Sequence, residues 1–169
     1  REVVVDTLKL EATTDFTRMK ECDALIIAVP TPLDKFRKPD MSYIESACIE
    51  IGKNMKLGTF ISLESTTYPT TTEDFMLPLI EEYSKQNPLN VPRPSSLFTP
   101  FKQGVDYWLA YSPERVDPGN KQFHTRNTPK VLGAMSEDGV EIGEALYLKA
   151  IDSIHKVSSP RVSEMVKIL

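Results

Sequence analysis

Apolar positions along the chain form two patterns. The first is a short unbroken run that stops abruptly at hydroxyl residues, prolines or paired charges. Such runs cover 24–29, before Pro30-Thr31-Pro32; 59–63, before Glu64-Ser65-Thr66-Thr67-Tyr68-Pro69; and 107–111, before Ser112-Pro113-Glu114-Arg115-Val116. Apolar runs of this length, bounded by turn chemistry, are buried strands. Residues 130–134 make a fourth strand and 153–157 a short fifth. The second pattern has helical period. Ile44, Ala47, Cys48, Ile51 and Met55 fall on one face, after a capping-box spacing at Ser42 and Glu45 and before Gly58. Phe75, Met76, Leu79, Ile80 and Tyr83 form another such face after a second capping box at Thr70 and Glu73, with Pro78 inside it to kink or shorten the helix. Short helical patterns also cover 15–21 and 138–150. A last helix starts at Pro160, with Ser159 as its cap and Val162, Met165, Val166 and Leu169 at helical spacing.

Strand and helix patterns alternating at this spacing predict an α/β fold with a Rossmann-like parallel sheet, flanking helices and right-handed connections. Residues 1–14 are ambiguous. Residues 31–39 read as a loop held open by prolines, and 86–100 as a proline-rich surface loop without fixed structure. Asp117-Pro118-Gly119-Asn120 reads as a turn. In an open parallel sheet, ligands bind beyond the carboxyl ends of the strands. This places Thr31, Ser65, Thr66, Glu114 and Arg115 on one rim.

The 169 residues make one domain of ordinary size, and 40% hydrophobic residues suffice for a packed core. A net charge of −4 without a basic run disfavours nucleic acid and anionic membranes as partners. No apolar block approaches a membrane span. Cys22 and Cys48 fall on or beside apolar helix faces and are read as packing residues of a protein in a reducing cytoplasm. His124 and His155 have no neighbours at metal-ligand spacing, so no metal site is expected. The chain starts at Arg1 and its last helix has no stop signal. We therefore expect an internal piece of a longer protein.

Each rim residue also has a plain structural explanation. Val29-Pro30-Thr31-Pro32 is explained by spacing alone as the start of a loop. Thr70, Thr71 and Thr72 are explained by capping; Ser65 and Thr66 less well. Glu114 could act as a general base or position water, and Arg115 offers a fork for phosphate or carboxylate, yet the two could equally form an exposed ion pair. Lys167, three residues after Glu164, reads as a solvated lysine paired on the helix surface. A G-x-G-x-x-G fingerprint is absent, since no two of the seven glycines are separated by a single residue.

Five motifs in order change this weighing: Ala28-Val-Pro-Thr-Pro32, Leu63-Glu-Ser-Thr-Thr-Tyr-Pro69, Leu109-Ala-Tyr-Ser-Pro-Glu-Arg-Val-Asp-Pro-Gly-Asn120, Asn127-Thr-Pro-Lys-Val131, and Val157-Ser-Ser followed by Ser163-Glu-Met-Val-Lys167. With them the chain resembles the UDP-glucose/GDP-mannose dehydrogenase family over nearly its whole length. The stretch from Ser112 to Asn120 is similar to the UDP-N-acetylhexosamine 6-dehydrogenase branch. The resemblance implies an NAD-dependent oxidoreductase acting on a CH–OH donor. It would oxidise the C6 alcohol of a UDP-sugar to a uronic acid for surface polysaccharide, through an aldehyde and a cysteine-bound thioester, with two NAD consumed.

By the same resemblance, Val29, Thr31, Ser65 and Thr66 line the NAD site, and Thr66 also reaches the catalytic water. Glu114 assists thioester hydrolysis, Arg115 and Val116 hold the nucleotide-sugar, and Lys167 stabilises developing oxyanion charge. Residues 1–157 correspond to the later part of the NAD-binding domain, with an inserted loop at 87–100. Residues 158–169 open a central helix through which such proteins dimerise. The glycine loop would precede Arg1 and the nucleophilic cysteine would follow Leu169, so this stretch alone is expected to be inactive. Two other readings stay open: a hydroxyacid or 6-phosphogluconate-type dehydrogenase, and a non-catalytic remnant.

Overall fold

A computed structural model describes residues 10–33, 35–90, 99–115, 119 and 124–168. Five strands form one sheet in chain order: β1 (Ala24–Ile27), β2 (Thr59–Leu63), β3 (Tyr107–Tyr111), β4 (Lys130–Ala134) and β5 (Ile154–Lys156). β1, β2 and β3 are parallel and in register, with Ile27 opposite Leu63 and Leu63 opposite Tyr111. The ladder runs one residue further, as Glu64 N donates to Ile27 O and Ser112 N to Leu63 O. The three strands therefore end at the same level.

β2 is buried at every position, because it is covered on both faces. Ile61 and Leu63, with Leu109 and Tyr111, face helix α1 (Ser42–Asn54) and helix α2 (Leu77–Ser84) in the main core, which Ile44, Cys48, Ile51, Met76 and Ile80 complete. Phe60 and Ala110, with Leu132 and Ala134, face the opposite side, where Tyr147 of α3 (Glu137–Tyr147) closes a second core. Helix α4 (Pro160–Ile168) follows β5 and packs on β4 and on the turn that enters α2.

The parallel arrangement predicted for the whole sheet breaks at one place. β4 runs antiparallel to β3, while β5 is again parallel to β4. A parallel neighbour needs a long crossover, usually a helix. Here the chain turns back at the end of β3, and the Ser112 hydroxyl donates to Val131 O at 2.7 Å.

Several local expectations are corrected by other partners or another winding. Neither capping box forms. Asp40 Oδ1 accepts from Ser42 N at the start of α1, and the α2 end is held by Glu164, far away in sequence. Pro78 sits in the first turn of α2, so of the two outcomes expected of it the α-helix is shortened. The preceding turn, Thr71–Met76, is wound as a π-helix, and Leu77 N donates five residues back to Thr72 O. The segment after β1 is pinched rather than open, with Asp40 N donating to Pro32 O and Leu33 bridging Pro39.

The start of the proline-rich segment is anchored too. Buried Asn87 donates to Gly52 O and Met55 O, capping α1, and Asn90 donates to Ser84 O. Phe101 N donates to Ser84 Oγ, so both ends of the segment meet at one residue and its length costs little. Residues 91–98 and most of the turn expected at 117–120 lie outside the described residues. Cys48 is a core residue as read, but Cys22 is exposed. Burial pushes the Cys48 thiol up to about 12.

Gly133 sets how closely α4 approaches the sheet. A Cβ there would stand 2.2 Å from Ser159 O, a backbone atom that cannot swing aside. Gly133→Ala must therefore shift the start of α4. We expect a loss of about 3 kcal/mol, the upper part of the usual overpacking range, measured as a lower urea midpoint of unfolding.

Candidate active site at the strand rim

The equal ends of β1, β2 and β3 decide where the polar tips lie. Thr31 follows β1 by four residues, Thr66 follows β2 by three and Glu114 follows β3 by three. Adjacent strands are about 5 Å apart. The three segments thus leave the sheet side by side along its carboxyl edge. Thr66 is exposed and Thr31 half-buried, and neither hydroxyl has a hydrogen bond among the described residues. Ser65 differs. It is buried, its hydroxyl accepts from Val29 N at 2.8 Å and donates to Val29 O at 2.7 Å, and it clamps the chain leaving β1 to the chain leaving β2. Tyr111 OH donates to Ser65 O at 3.3 Å from the third strand.

Helix α4 reaches the same edge. Lys167 Nζ donates to Glu114 O at 2.6 Å, and Arg115 Nη1 donates to Val166 O at 2.7 Å. These reciprocal clasps join segments about fifty residues apart. They also overturn the reading of Lys167 as the surface partner of Glu164. Nor do Glu114 and Arg115 simply pair with each other: Glu114 Oε1 accepts from Arg115 N at 2.8 Å, while the guanidinium turns to α4. Pro113, Glu114, Arg115, Thr128 and Lys130 line a cavity of about 10 Å³. That is about the volume one water needs. Val116 lies outside the described residues.

Beneath the rim is a polar network that the sequence reading missed. Lys130 Nζ stands 3.3 Å from Glu64 Oε1 with both side chains largely buried, and 4.9 Å from the centre of the Tyr147 ring. Tyr147 OH donates to Glu64 Oε1 at 2.8 Å and lies 2.9 Å from Ser62 Oγ. Burial, then the charge of Glu64, pushes the Tyr147 phenol well above its usual range. This network holds Glu64, the residue before Ser65, against both β4 and α3. Glu64 and Lys130 stood inside quoted motifs, but nothing in their spacing shows that they meet.

A cleft of about 400 Å³ beside β1 is lined by Met19, Ile26, Tyr43, Ala47 and Ile51, and Val29 borders it where it nears the rim. It is apolar, and its chemistry suits packing or a flat ring, not proton transfer. No group of three or more His, Cys, Asp or Glu that could hold a metal occurs among the described residues.

The donor set suits a dinucleotide. Two hydroxyl residues and the backbone of three strand ends lie along the carboxyl edge of parallel strands, the usual position for such a cofactor. Comparison with known proteins agrees. Residues 1–151 match the family model for the UDP-glucose/GDP-mannose dehydrogenase family, NAD binding domain. The chain is 30% identical over 162 residues to UDP-N-acetyl-D-glucosamine 6-dehydrogenase of Pseudomonas aeruginosa, covering 95% of the chain and 35% of that protein. It is 33% identical to Protein CapL of Staphylococcus aureus, covering 99% of the chain and 37% of that protein. Among solved structures, a UDP-D-ManNAc dehydrogenase from Pyrococcus horikoshii aligns with a TM-score of 0.82 at 30% identity, over 99% of this chain and 36% of that one. An NDP-N-acetyl-D-galactosaminuronic acid dehydrogenase from Methanosarcina mazei aligns with a TM-score of 0.80 at 29% identity, over 98% and 32%. The chain spans about a third of the length of these relatives. It belongs to the UDP-glucose/GDP-mannose dehydrogenase family, and the part of that family it matches is the NAD-binding domain.

Proposed function

We propose that this chain supplies the NAD-binding and acid–base side of a UDP-N-acetylhexosamine 6-dehydrogenase, which converts the C6 alcohol of the sugar to a carboxylate. The observation that carries the reading is the convergence of Thr31, Thr66, Glu114 and Lys167 at one edge, with Lys167 Nζ 2.6 Å from Glu114 O. NAD, when bound, supplies the hydride acceptor. Thr31 and Thr66 donate to it from the ends of β1 and β2, Val29 lines its bed, and Ser65 holds Val29 in place. Lys167 places an ammonium where the sugar oxygen gains negative charge, an interaction stronger in the transition state than in the ground state. Glu114 takes the proton of the water that hydrolyses the thioester, and Thr66 orients that water. Arg115 spends one guanidinium donor on Val166 O, and its remaining donors serve a phosphate or carboxylate of the sugar nucleotide. Val116 continues that contact.

The same reading covers the rest of the protein. Residues 1–157 belong to the NAD-binding domain, and α4 opens a central helical part. Val162, Met165 and Ile168 stand exposed along α4. Such a stripe supports a homodimer formed through this helix. Among the described residues no helix is long and apolar enough to cross a membrane, and both cysteines are free. We place the protein in the cytoplasm, making uronic acids for surface polysaccharide.

The test is NADH formation by the intact protein with UDP-GlcNAc, UDP-ManNAc and UDP-glucose. We expect two NADH per sugar with an N-acetylhexosamine and little turnover of UDP-glucose. A purified, folded protein inert with all three would instead be the non-catalytic remnant. Glu114→Gln should lower steady-state turnover at least a hundredfold yet leave a burst of NADH from the first oxidations, which stopped-flow absorbance resolves. A full loss of the burst would move Glu114 to an earlier step. Arg115→Ala should raise KM for the UDP-sugar at least tenfold and leave KM for NAD within about twofold. The opposite split would count against the substrate role.

A further inference from the structure

Glu164 has no part in the chemistry above, yet it is among the most constrained side chains in the molecule. It sits on α4 three residues before Lys167 and is fully buried. Both carboxyl oxygens reach away from their own helix. Oε2 accepts from Thr70 N at 2.6 Å, and Oε1 accepts from Thr72 N at 2.9 Å and from Thr72 Oγ1 at 2.7 Å. Burial pushes this carboxyl above its usual range, against the pull of the Thr72 and Thr70 bonds, and Glu73 adds to the upward shift. A buried carboxylate is an expensive way to pack a helix, since apolar residues of similar volume do so as well or better. Its three bonds must therefore secure a particular arrangement.

The arrangement they secure is itself unusual. Thr70, a β-branched residue, adopts φ 77° and ψ 0°. Left-handed backbone at such a residue is strained and persists only where the surroundings enforce it. The Thr70 N–H is aimed at Glu164. On the rim side, Thr67 Oγ1 and Thr71 Oγ1 lie 2.6 Å apart, and Thr71 Oγ1 donates to Tyr68 O at 2.7 Å. The segment from Thr67 to Thr72 is thus one fastened piece, continuous with Thr66. Beyond Glu164, α4 is clasped to the β3 end through Lys167 and Arg115. Glu164 joins α4 to the β2 end through buried bonds, beside a more exposed ion pair between Arg161 and Glu73 at 2.5 Å.

We propose that Glu164 is a positioning residue: it locks the helix that carries Lys167 onto the Thr66–Thr72 segment, so that the Lys167 ammonium and the Thr66 hydroxyl are held at a fixed separation across the crevice. The inference rests on the dehydrogenase reading and deepens it. Glu164 touches neither cofactor nor sugar and acts through Lys167.

Its test is a double-mutant cycle in the intact protein. Glu164→Gln keeps the shape but presents an amide N–H₂ to backbone donors, so one of the three bonds is lost. We expect kcat to fall at least tenfold, with KM for NAD and for the UDP-sugar within about threefold. In a Lys167→Ala background the same change should cost less than twofold more, because the lysine it positions is gone. A merely structural role would multiply the two losses. Thr72→Val removes only the Oγ1 donor and serves if Glu164→Gln does not fold. It should lower kcat about threefold, again only while Lys167 is present. Unchanged kcat in folded variants, or equal losses with and without Lys167, overturns the inference. A wild type inert with every nucleotide sugar overturns the dehydrogenase reading and this inference with it.

Discussion

The level ending of three parallel strands is the constraint on which the rest depends. Parallel pairing in register, Ile27 with Leu63 and Leu63 with Tyr111, makes three distant segments leave the sheet at one height. It also goes with helices on both faces, because strands apolar on both sides must be shielded from water on both. α1 and α2 cover one face and α3 the other, and the polar residues after each strand lie along the rim. The shared rim is thus a consequence of sheet geometry, before any one side chain is considered.

What turns the rim into a site is the return of α4. β4 reverses direction beside β3, Gly133 lets the start of α4 approach to backbone contact, and the helix reaches the Glu114 segment within two turns. Lys167 and Arg115 then exchange hydrogen bonds with each other's backbone neighbourhoods, and Glu164 ties the same helix to the segment after Thr66. Beneath them Glu64, Lys130 and Tyr147 bind β2, β4 and α3 together through buried polar contacts. The rim is held from two layers, which suits chemistry that tolerates little displacement.

Much of the fold was legible because it is written in local patterns. The five strand runs, the α1 face and the Ser159–Pro160 start of α4 were all visible in apolar spacing and caps. Ser42 and Thr70 had the right spacing for capping boxes, but Asp40 and Glu164 supply the acceptors instead. Pro78 promised a kinked or shortened helix, and α2 is α-helical only from Leu77, after a π-helical turn. Asn87 and Asn90 looked like loop residues but are buried caps on α1 and α2. Glu164 and Asn87 act across tens of residues, Asp40 and Ser84 are near neighbours outside the expected spacing, and at Pro78 the preceding turn is rewound.

The site divides along the same line. Ser65, Thr66, Glu114 and Arg115 could be placed on a rim from sequence alone, since strand ends and turn chemistry are local properties of the chain. Family membership was also legible, from five motifs in order. Tertiary structure alone decided which of these residues meet: that Ser65 clamps Val29, that Lys167 turns to Glu114 and not to Glu164, and that a carboxylate read as a surface partner is buried as a brace. Spacing along a helix or strand records which face a residue occupies, whereas hydrogen bonds across 36 to 94 residues depend on how faces are brought together in space.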